Sequence, residues 1–211
     1  MKTALVIGDV HAEHHLLKRA LEYGESLGIT DVLCCGDFCD GYGDVEACIA
    51  LARRHGIHAV SGNHDEWCMQ NTMRTLKDAT PFASLSPDAQ AYLKRLKPVE
   101  YLDTAAGTLI LCHGLMHHNM AKVGADDFGY ALENNFELHE FLNQRTARLM
   151  VNGHTHRRMI RAFGDKTILN AGTLFRDHQP CFGVADFVQC TMTYLLMTPE
   201  GDIVDKDVIA F

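Results

Sequence analysis

The chain has 211 residues, 47% hydrophobic and 22% charged, with 27 acidic against 19 basic side chains and a formal net charge of -8 at pH 7. That length predicts one globular domain over residues 1–211, and the acidic balance argues against general nucleic-acid binding, which relies on clustered lysine and arginine to neutralise phosphates. No stretch approaches the ~18 consecutive apolar residues of a membrane span, and the run Ala4 to Ile7 is too short for a secretory signal, so a cytoplasmic protein with no membrane partner is expected.

Thr3 to Ile7 is an apolar, branched run that meets Gly8-Asp9, the pattern of a strand entering a loop. From His14 to Leu27, Leu16, Leu17, Ala20, Leu21 and Leu27 fall at helical spacing, and Gly28 supplies a stop. A second strand, Asp31 to Cys35, ends in Gly36-Asp37; a second helix, Val45 to His55, ends at Gly56; a third strand, His58 to Ser61, ends in Gly62-Asn63. The order is βαβαβ, and in an open sheet of that kind chemistry gathers beyond the carboxyl ends of the strands.

Ser86-Pro87-Asp88 reads as a capped helix start with proline in the first turn, and the helix runs to Leu96 before Pro98. Thr108 to Cys112 predicts a strand ending in His113-Gly114, Asn134 to Ala147 a helix, and Arg148 to Val151 a strand ending in Gly153-His154-Thr155-His156. From Met159 the pattern changes to short runs: Met159 to Phe163, Thr167 to Leu169, Phe182 to Phe187, Thr191 to Met197 and Ile203 to Ile209. These predict a second, largely antiparallel sheet with turns at Gly164-Asp165 and Pro199-Glu200-Gly201. The expected fold class is α/β, two packed sheets with helices outside.

Eight cysteines show no C-x-x-C spacing, so reduced thiols are expected rather than a disulfide framework or a structural zinc cluster. Cys34, Cys35 and Cys112 sit in apolar runs, as small buried hydrophobes do. Thirteen histidines are more informative. Five segments each present metal-binding atoms at a strand end: Asp9-Val10-His11, Asp37-Phe38-Cys39-Asp40, Asn63-His64-Asp65, His113, and His154-Thr155-His156. In extended chain residues i and i+2 face the same way, so Asp9 with His11, and His154 with His156, can converge on one ion. Mixed carboxylate, imidazole and amide donors suit borderline divalent ions.

Together the segments resemble the calcineurin-like metallophosphoesterase family, whose pattern is D-x-H, GD-x-x-D, GNH-[DE], H and GH-x-H in this order; the resemblance runs from about Thr3 to Thr173. It implies a four-layer α-β-β-α sandwich of two mixed sheets and a site for two divalent metal ions, Mn²⁺ first, with Fe, Ni, Co or Zn as alternatives. By the same resemblance Asp9, His11, Asp37 and His156 hold one ion, and Asp37 bridges to a second that Asn63, His113 and His154 also hold. His64 would protonate the leaving oxygen, Asp65 would orient its imidazole, and Asp40 would fix a ligand histidine from outside. The implied reaction is hydrolysis of a phosphate ester by a metal-bridging hydroxide. Two divalent ions against two carboxylates and a hydroxide leave a net positive charge, which attracts phosphate despite the acidic chain.

Departures from the family pattern narrow the reading. Asp40 is followed by Gly41-Tyr42 rather than Arg-Gly, which argues against a protein phosphatase, and Asn170-Ala171-Gly172-Thr173 is similar to the N-P-G-S turn of small bacterial phosphodiesterase-like members. A phosphodiesterase acting on a small-molecule phosphoester or nucleotide is the expectation; alternatives are a dinucleoside polyphosphate hydrolase, a phosphomonoesterase, or a non-catalytic scaffold like the retromer subunit of this fold family, which lacks the acid histidine. Arg157, Arg176 and His117 are candidate substrate contacts, against the commoner fate of surface arginines and loop histidines. Arg158, Arg161 and His118 belong to the same weighing. Trp67 and Phe128 divide between ligand stacking and packing. The segment His117 to Tyr130 reads as a substrate-selecting loop or a plain surface loop. His14, His15, His55, His58, His139 and His178 are read as structural, Glu13 receives no role, and nothing specifies an oligomer.

Overall fold

The computed structural model describes residues 1–211, and the order of its elements is β1 (Thr3–Ile7), α1 (His14–Ser26), β2 (Val32–Cys34), α2 (Val45–Arg54), β3 (His58–Ala59), α3 (Asn63–Gln70), α4 (Pro87–Leu93), β4 (Val99–Thr104), β5 (Gly107–Cys112), α5 (Tyr130–Glu133), α6 (Phe136–Leu142), β6 (Ala147–Asn152), β7 (Arg158–Phe163), β8 (Lys166–Ala171), β9 (Cys181–Asp186), β10 (Thr191–Met197) and β11 (Ile203–Ala210). Six strands in the order β11-β10-β9-β1-β2-β3 form one mixed sheet, and five in the order β4-β5-β6-β8-β7 form the other. β1, β2 and β3 are parallel, as are β5, β6 and β8. Five of these six strands, β1, β2, β3, β5 and β6, deliver the motif residues from the loops at their carboxyl ends.

Two-residue alternation builds the layers. On β1, Leu5 and Ile7 pack against Leu16, Leu17, Ala20 and Leu21 of α1 and Val45, Cys48, Ile49 and Ala52 of α2. Ala4 and Val6 point the other way and meet Leu109, Leu111, Val151, Leu169 and Ala171 of the second sheet. On the far side of that sheet Ile110, Cys112, Met150 and Ile168 pack on Leu138 and Phe141 of α6. The result is helix, sheet, sheet, helix. Each fully buried leucine in these interfaces contributes ~1.5–3 kcal/mol.

The late strands are placed differently from the sequence expectation. They do not form a sheet of their own: β9 pairs antiparallel with β1, β10 with β9 and β11 with β10, so these three extend the first sheet. β7 and β8 instead join β4, β5 and β6. Short alternating runs specify a strand and its two faces, not the edge on which it docks. Of the helix expected from Asn134 to Ala147 only α6, Phe136–Leu142, forms: Asn135 caps its start by accepting a hydrogen bond from the Leu138 amide, Ala147 already belongs to β6, and the separate one-turn α5 lies before the expected span. β4, absent from the sequence expectation, exposes or half-exposes all but one of its residues, so its apolar signal is faint. All eight cysteines are free thiols, seven of them buried. No helix is long and apolar enough to cross a membrane.

Candidate active site

The strand-end loops turn sharply enough that His11, Asp37, Asp40, His154 and His156 all take positive φ, between 45° and 64°. Residues other than glycine rarely adopt this region, and five held there in one cluster show a site that its surroundings over-determine. Two glycines make the close packing possible. A Cβ on Gly62 would collide with the Asp37 carboxylate and one on Gly153 with that of Asp9, which accounts for the glycines that precede Asn63 and His154.

Asp9, His11, Asp37, Asn63 and His113 are buried, and His154 and His156 half-buried. His156 Nε2 lies 3.2 Å from Asp9 Oδ2 and 3.0 Å from His11 Nε2, while His11 Nε2 and His113 Nε2 lie 3.7 and 3.4 Å from Asp37 Oδ2. Asn63 Oδ1 sits 2.8 Å from His113 Nε2 and 3.0 Å from His154 Nδ1. The ligand atoms of Asp9, His11 and His156, and likewise those of Asp9, Asp37 and His113, fall within 4.8 Å of one another. All seven sequence-derived ligand candidates thus converge. Outside the cluster, His11 Nδ1 donates to the Asp40 carbonyl and His113 Nδ1 to the Cys35 carbonyl, both at 2.8 Å. These bonds leave each Nε2 with its lone pair turned inward, the tautomer a metal ligand requires.

Electrostatics of the bare cluster favour a cation. Burial pushes the Asp9 carboxyl up to about 8 and, with Asp9 next to it, Asp37 well above the usual range. Burial likewise pushes His11 and His113 down to about 3 and His156 to about 2. Asp9 Oδ2 is buried and has no hydrogen-bond partner, although buried acceptors are nearly always satisfied. An unpaired carboxylate oxygen facing imidazole lone pairs is the arrangement a divalent cation completes.

At the rim, His64 Nδ1 donates to Asp40 Oδ2 at 2.8 Å. Its ring lies 4.8 Å from that of His11, edge-on, and 4.7 Å from that of Trp67, which assigns Trp67 to packing on this histidine. The role expected of Asp65, orienting His64, falls to Asp40 in addition to its own. Asp65, adjacent in sequence to His64, accepts from the Gly62 and Cys39 amides, each at 3.0 Å, and so ties the third loop to the second. α3 starts at Asn63, and the first turn of a helix sends the Asp65 side chain back toward its own cap. Asp40, 24 residues from His64, orients the imidazole with its carboxylate and fixes His11 with its carbonyl.

Several participants went unrecognised in the sequence. Arg74, in the polar loop before α4, grips both Asp40 oxygens at 2.8 and 2.9 Å. His178 Nδ1 lies 2.6 Å from His156 Nδ1, so this histidine, read as structural, braces a ligand candidate. Phe175 packs 5.1 Å from the His11 ring. Glu13 acquires a role as well: it is buried and takes Arg176 in two hydrogen bonds, Nε to Oε1 at 2.7 Å and Nη2 to Oε2 at 2.6 Å. None of these shows a local motif; only their partners far along the chain identify them.

The remaining candidates separate. Arg176 is engaged by Glu13 rather than held free for substrate. Arg157 lines a cleft of about 940 Å³ that opens beside His156, with Arg158, Asp177, His178 and Tyr194. His117 lines a different, polar depression with His118, Glu66, Glu137 and Glu140. Arg161 donates to the Gly124 and Asp127 carbonyls and so pins the 117–130 segment to β7. Phe128 is 83% exposed and packs in no core.

Residues 1–189 match the family model described as the calcineurin-like phosphoesterase superfamily domain. No curated protein matches the chain in sequence. Similar solved structures include the hypothetical protein PH1004 from Pyrococcus horikoshii OT3, with a TM-score of 0.73 and 14% identity over 94% of this chain and 88% of that one. A metallophosphoesterase from Sphaerobacter thermophilus has a TM-score of 0.65 and 20% identity over 92% and 87%. A single mutant of Vps29 from Entamoeba histolytica has a TM-score of 0.60 and 20% identity over 99% of each chain.

Proposed function

The chain belongs to the calcineurin-like phosphoesterase superfamily, and from that premise we propose that it is a metal-dependent phosphoric ester hydrolase that prefers phosphodiesters. The observation that carries this reading is the unpartnered Asp9 Oδ2 in a cluster where Asp9, His11, Asp37, His113 and His156 converge and Asn63 joins His113 to His154, with the His64–Asp40 pair 2.8 Å apart at the rim. Two divalent ions, Mn²⁺ first among them, held by Asp9, His11, Asp37, Asn63, His113, His154 and His156, would acidify a water and neutralise charge developing on the phosphoryl oxygens.

The chain's own residues supply the rest. Asp40 occupies Nδ1 of His64, so Nε2 is the nitrogen free to give a proton to the departing oxygen. His11 and His113 are locked in one tautomer by backbone carbonyls and need no rearrangement on binding. The preference for a diester rests on charge. A monoester dianion needs an additional cation beside the metals; of the arginines near the site Arg74 is bound by Asp40, Arg176 by Glu13 and Arg161 by carbonyls, while Arg157 and Arg158 lie along the cleft beside His156, where a diester's second substituent would extend. Directly after Asp40, where an arginine would grip phosphate, an added Cβ on Gly41 would strike the His11 carbonyl. A singly charged diester suits that surface better.

The test compares hydrolysis of bis-p-nitrophenyl phosphate with that of p-nitrophenyl phosphate, with Mn²⁺ and after chelation. Metal-dependent cleavage of the diester well above the monoester is expected. Dominant monoester cleavage overturns the diester preference, and inertness toward both with metal bound favours a nucleotide anhydride substrate or the scaffold role.

A further inference from the structure

Arg74 is a largely buried cation that touches no ligand candidate and comes from a loop with no recognisable motif. Four of its hydrogen bonds nonetheless converge behind His64. Its Nη1 and Nη2 hold Asp40 Oδ1 and Oδ2 at 2.8 and 2.9 Å, Nη1 also reaches the Thr80 carbonyl at 3.0 Å, and Nε reaches the Thr72 carbonyl at 2.6 Å. Thr80 closes the clamp from the other side: its amide donates to Asp40 Oδ1 at 2.8 Å and its hydroxyl accepts from the Asp40 amide at 3.0 Å. The carboxylate therefore has a single orientation, and Oδ2 presents its remaining lone pair to His64 Nδ1 at 2.8 Å.

We propose that Arg74 is a positioning residue for the proton-donating step, its guanidinium fixing the Asp40 carboxylate in the plane that aims His64 Nε2 at the leaving oxygen. This rests on His64 being the general acid, as read above. In the step itself water adds its oxygen to phosphorus and releases a proton, the bond from phosphorus to the leaving oxygen breaks with its electron pair on that oxygen, and the doubly protonated His64 gives that oxygen its Nε2 proton, becoming the neutral Nδ1–H tautomer that Asp40 holds. The neutral imidazole then regains a proton equivalent to the one the water released, so atoms and charge balance. A planar fork is required because an ammonium can satisfy only one carboxylate oxygen at a time.

An aim-setting role has a signature that loss of general packing lacks. Proton donation matters for a poor leaving group and little for a good one. The experiment measures kcat and KM for methyl p-nitrophenyl phosphate and methyl phenyl phosphate with wild type, His64→Ala, Arg74→Met and Arg74→Lys, alongside metal content and melting temperature. Long-range ¹H–¹⁵N spectra of the metal-free proteins report the His64 tautomer. His64→Ala is expected to lose a factor of ~10²–10⁴ on the phenyl ester and far less on the p-nitrophenyl ester. Arg74→Met should show the same selectivity at about a tenth or more of that size, in kcat rather than KM, with His64 no longer a single Nδ1–H tautomer; Arg74→Lys should fall between it and wild type.

Equal losses on both esters, or no loss, in Arg74 variants while His64→Ala remains selective would overturn the positioning role alone. If His64→Ala shows no leaving-group dependence, the acid assignment falls and takes this role with it. Should Arg74→Met fail to fold, Arg74→Lys and its tautomer spectrum decide by the same criteria.

Discussion

Asp40 and His64 lie 24 positions apart and share a 2.8 Å hydrogen bond, whereas Asp65, the next residue after His64, turns back to bind the Gly62 and Cys39 amides. Two carboxylates of one motif set therefore serve different ends. One aims an imidazole, and the other holds two loops at a fixed spacing.

Substitution should separate those ends. Asp65→Ala leaves two buried amides without an acceptor and is expected to cost ~1–3 kcal/mol for each, seen as a large fall in melting temperature. Asp40→Asn should remain folded and lose turnover, up to the ~10²–10⁴ that general acid catalysis supplies. Thermal melts and steady-state rates on both variants check this, and the opposite pattern would restore Asp65 as the orienting residue.

Asp9 should behave unlike an ordinary core residue. Its Oδ2 is buried without a partner, so an uncompensated carboxylate destabilises the metal-free chain. Asp9→Asn keeps the shape and the acceptor for the His154 amide. The metal-free variant is expected to melt no lower than metal-free wild type, while losing the rise in melting temperature that Mn²⁺ confers. Calorimetry with and without Mn²⁺ reads both, and retained metal stabilisation would remove Asp9 from the ligand set.

The pH dependence follows from the same groups. His11, His113, His154 and His156 are held below their ordinary 6.5 in the fold, so the unfolded chain binds more protons there through pH 6.5, an excess that fades within about a unit above it. Asp9, raised to about 8, binds more protons in the folded chain until pH passes that value, and Asp37, raised well above its ordinary 3.8, acts in the same direction. Above about pH 7.5 the carboxylates outweigh the histidines, and stability of the metal-free protein is expected to fall as pH rises. Each kcal/mol lost lowers the melting temperature by ~2–4 °C for a chain of this size. With metal bound the carboxylates stay ionised and that slope should vanish; a metal-free melting temperature that climbs over this window would contradict the burial argument.

Arg176 is expected to matter for stability more than for substrate. Removing it strands Glu13, whose side chain is 0% exposed beside an arginine that is 36% exposed. Breaking a buried pair costs ~3–5 kcal/mol, and the partial exposure of the arginine puts Arg176→Ala at the low end or below. KM for small diesters should change little. A tenfold rise in KM with an unaltered melt would return Arg176 to the substrate.

Family, sheet-and-helix layering and the seven converging ligand candidates were legible in the sequence because each rests on local pattern. A strand run fixes which way its side chains alternate, and the residues just past its end are carried to the sheet's carboxyl edge whatever surrounds them. What only the tertiary structure decided involves partners distant in sequence. These include the attachment of β9, β10 and β11 to the edge of β1, the choice of Asp40 rather than Asp65 to orient His64, and the pairing of Glu13 with Arg176. Arg74 belongs here as well. Such hydrogen bonds depend on how independently folded loops are oriented toward each other, and residue type and spacing carry no record of that orientation. The amino-acid sequence thus specified which atoms reach the site, and the packed fold specified which of them aim, brace or neutralise the others.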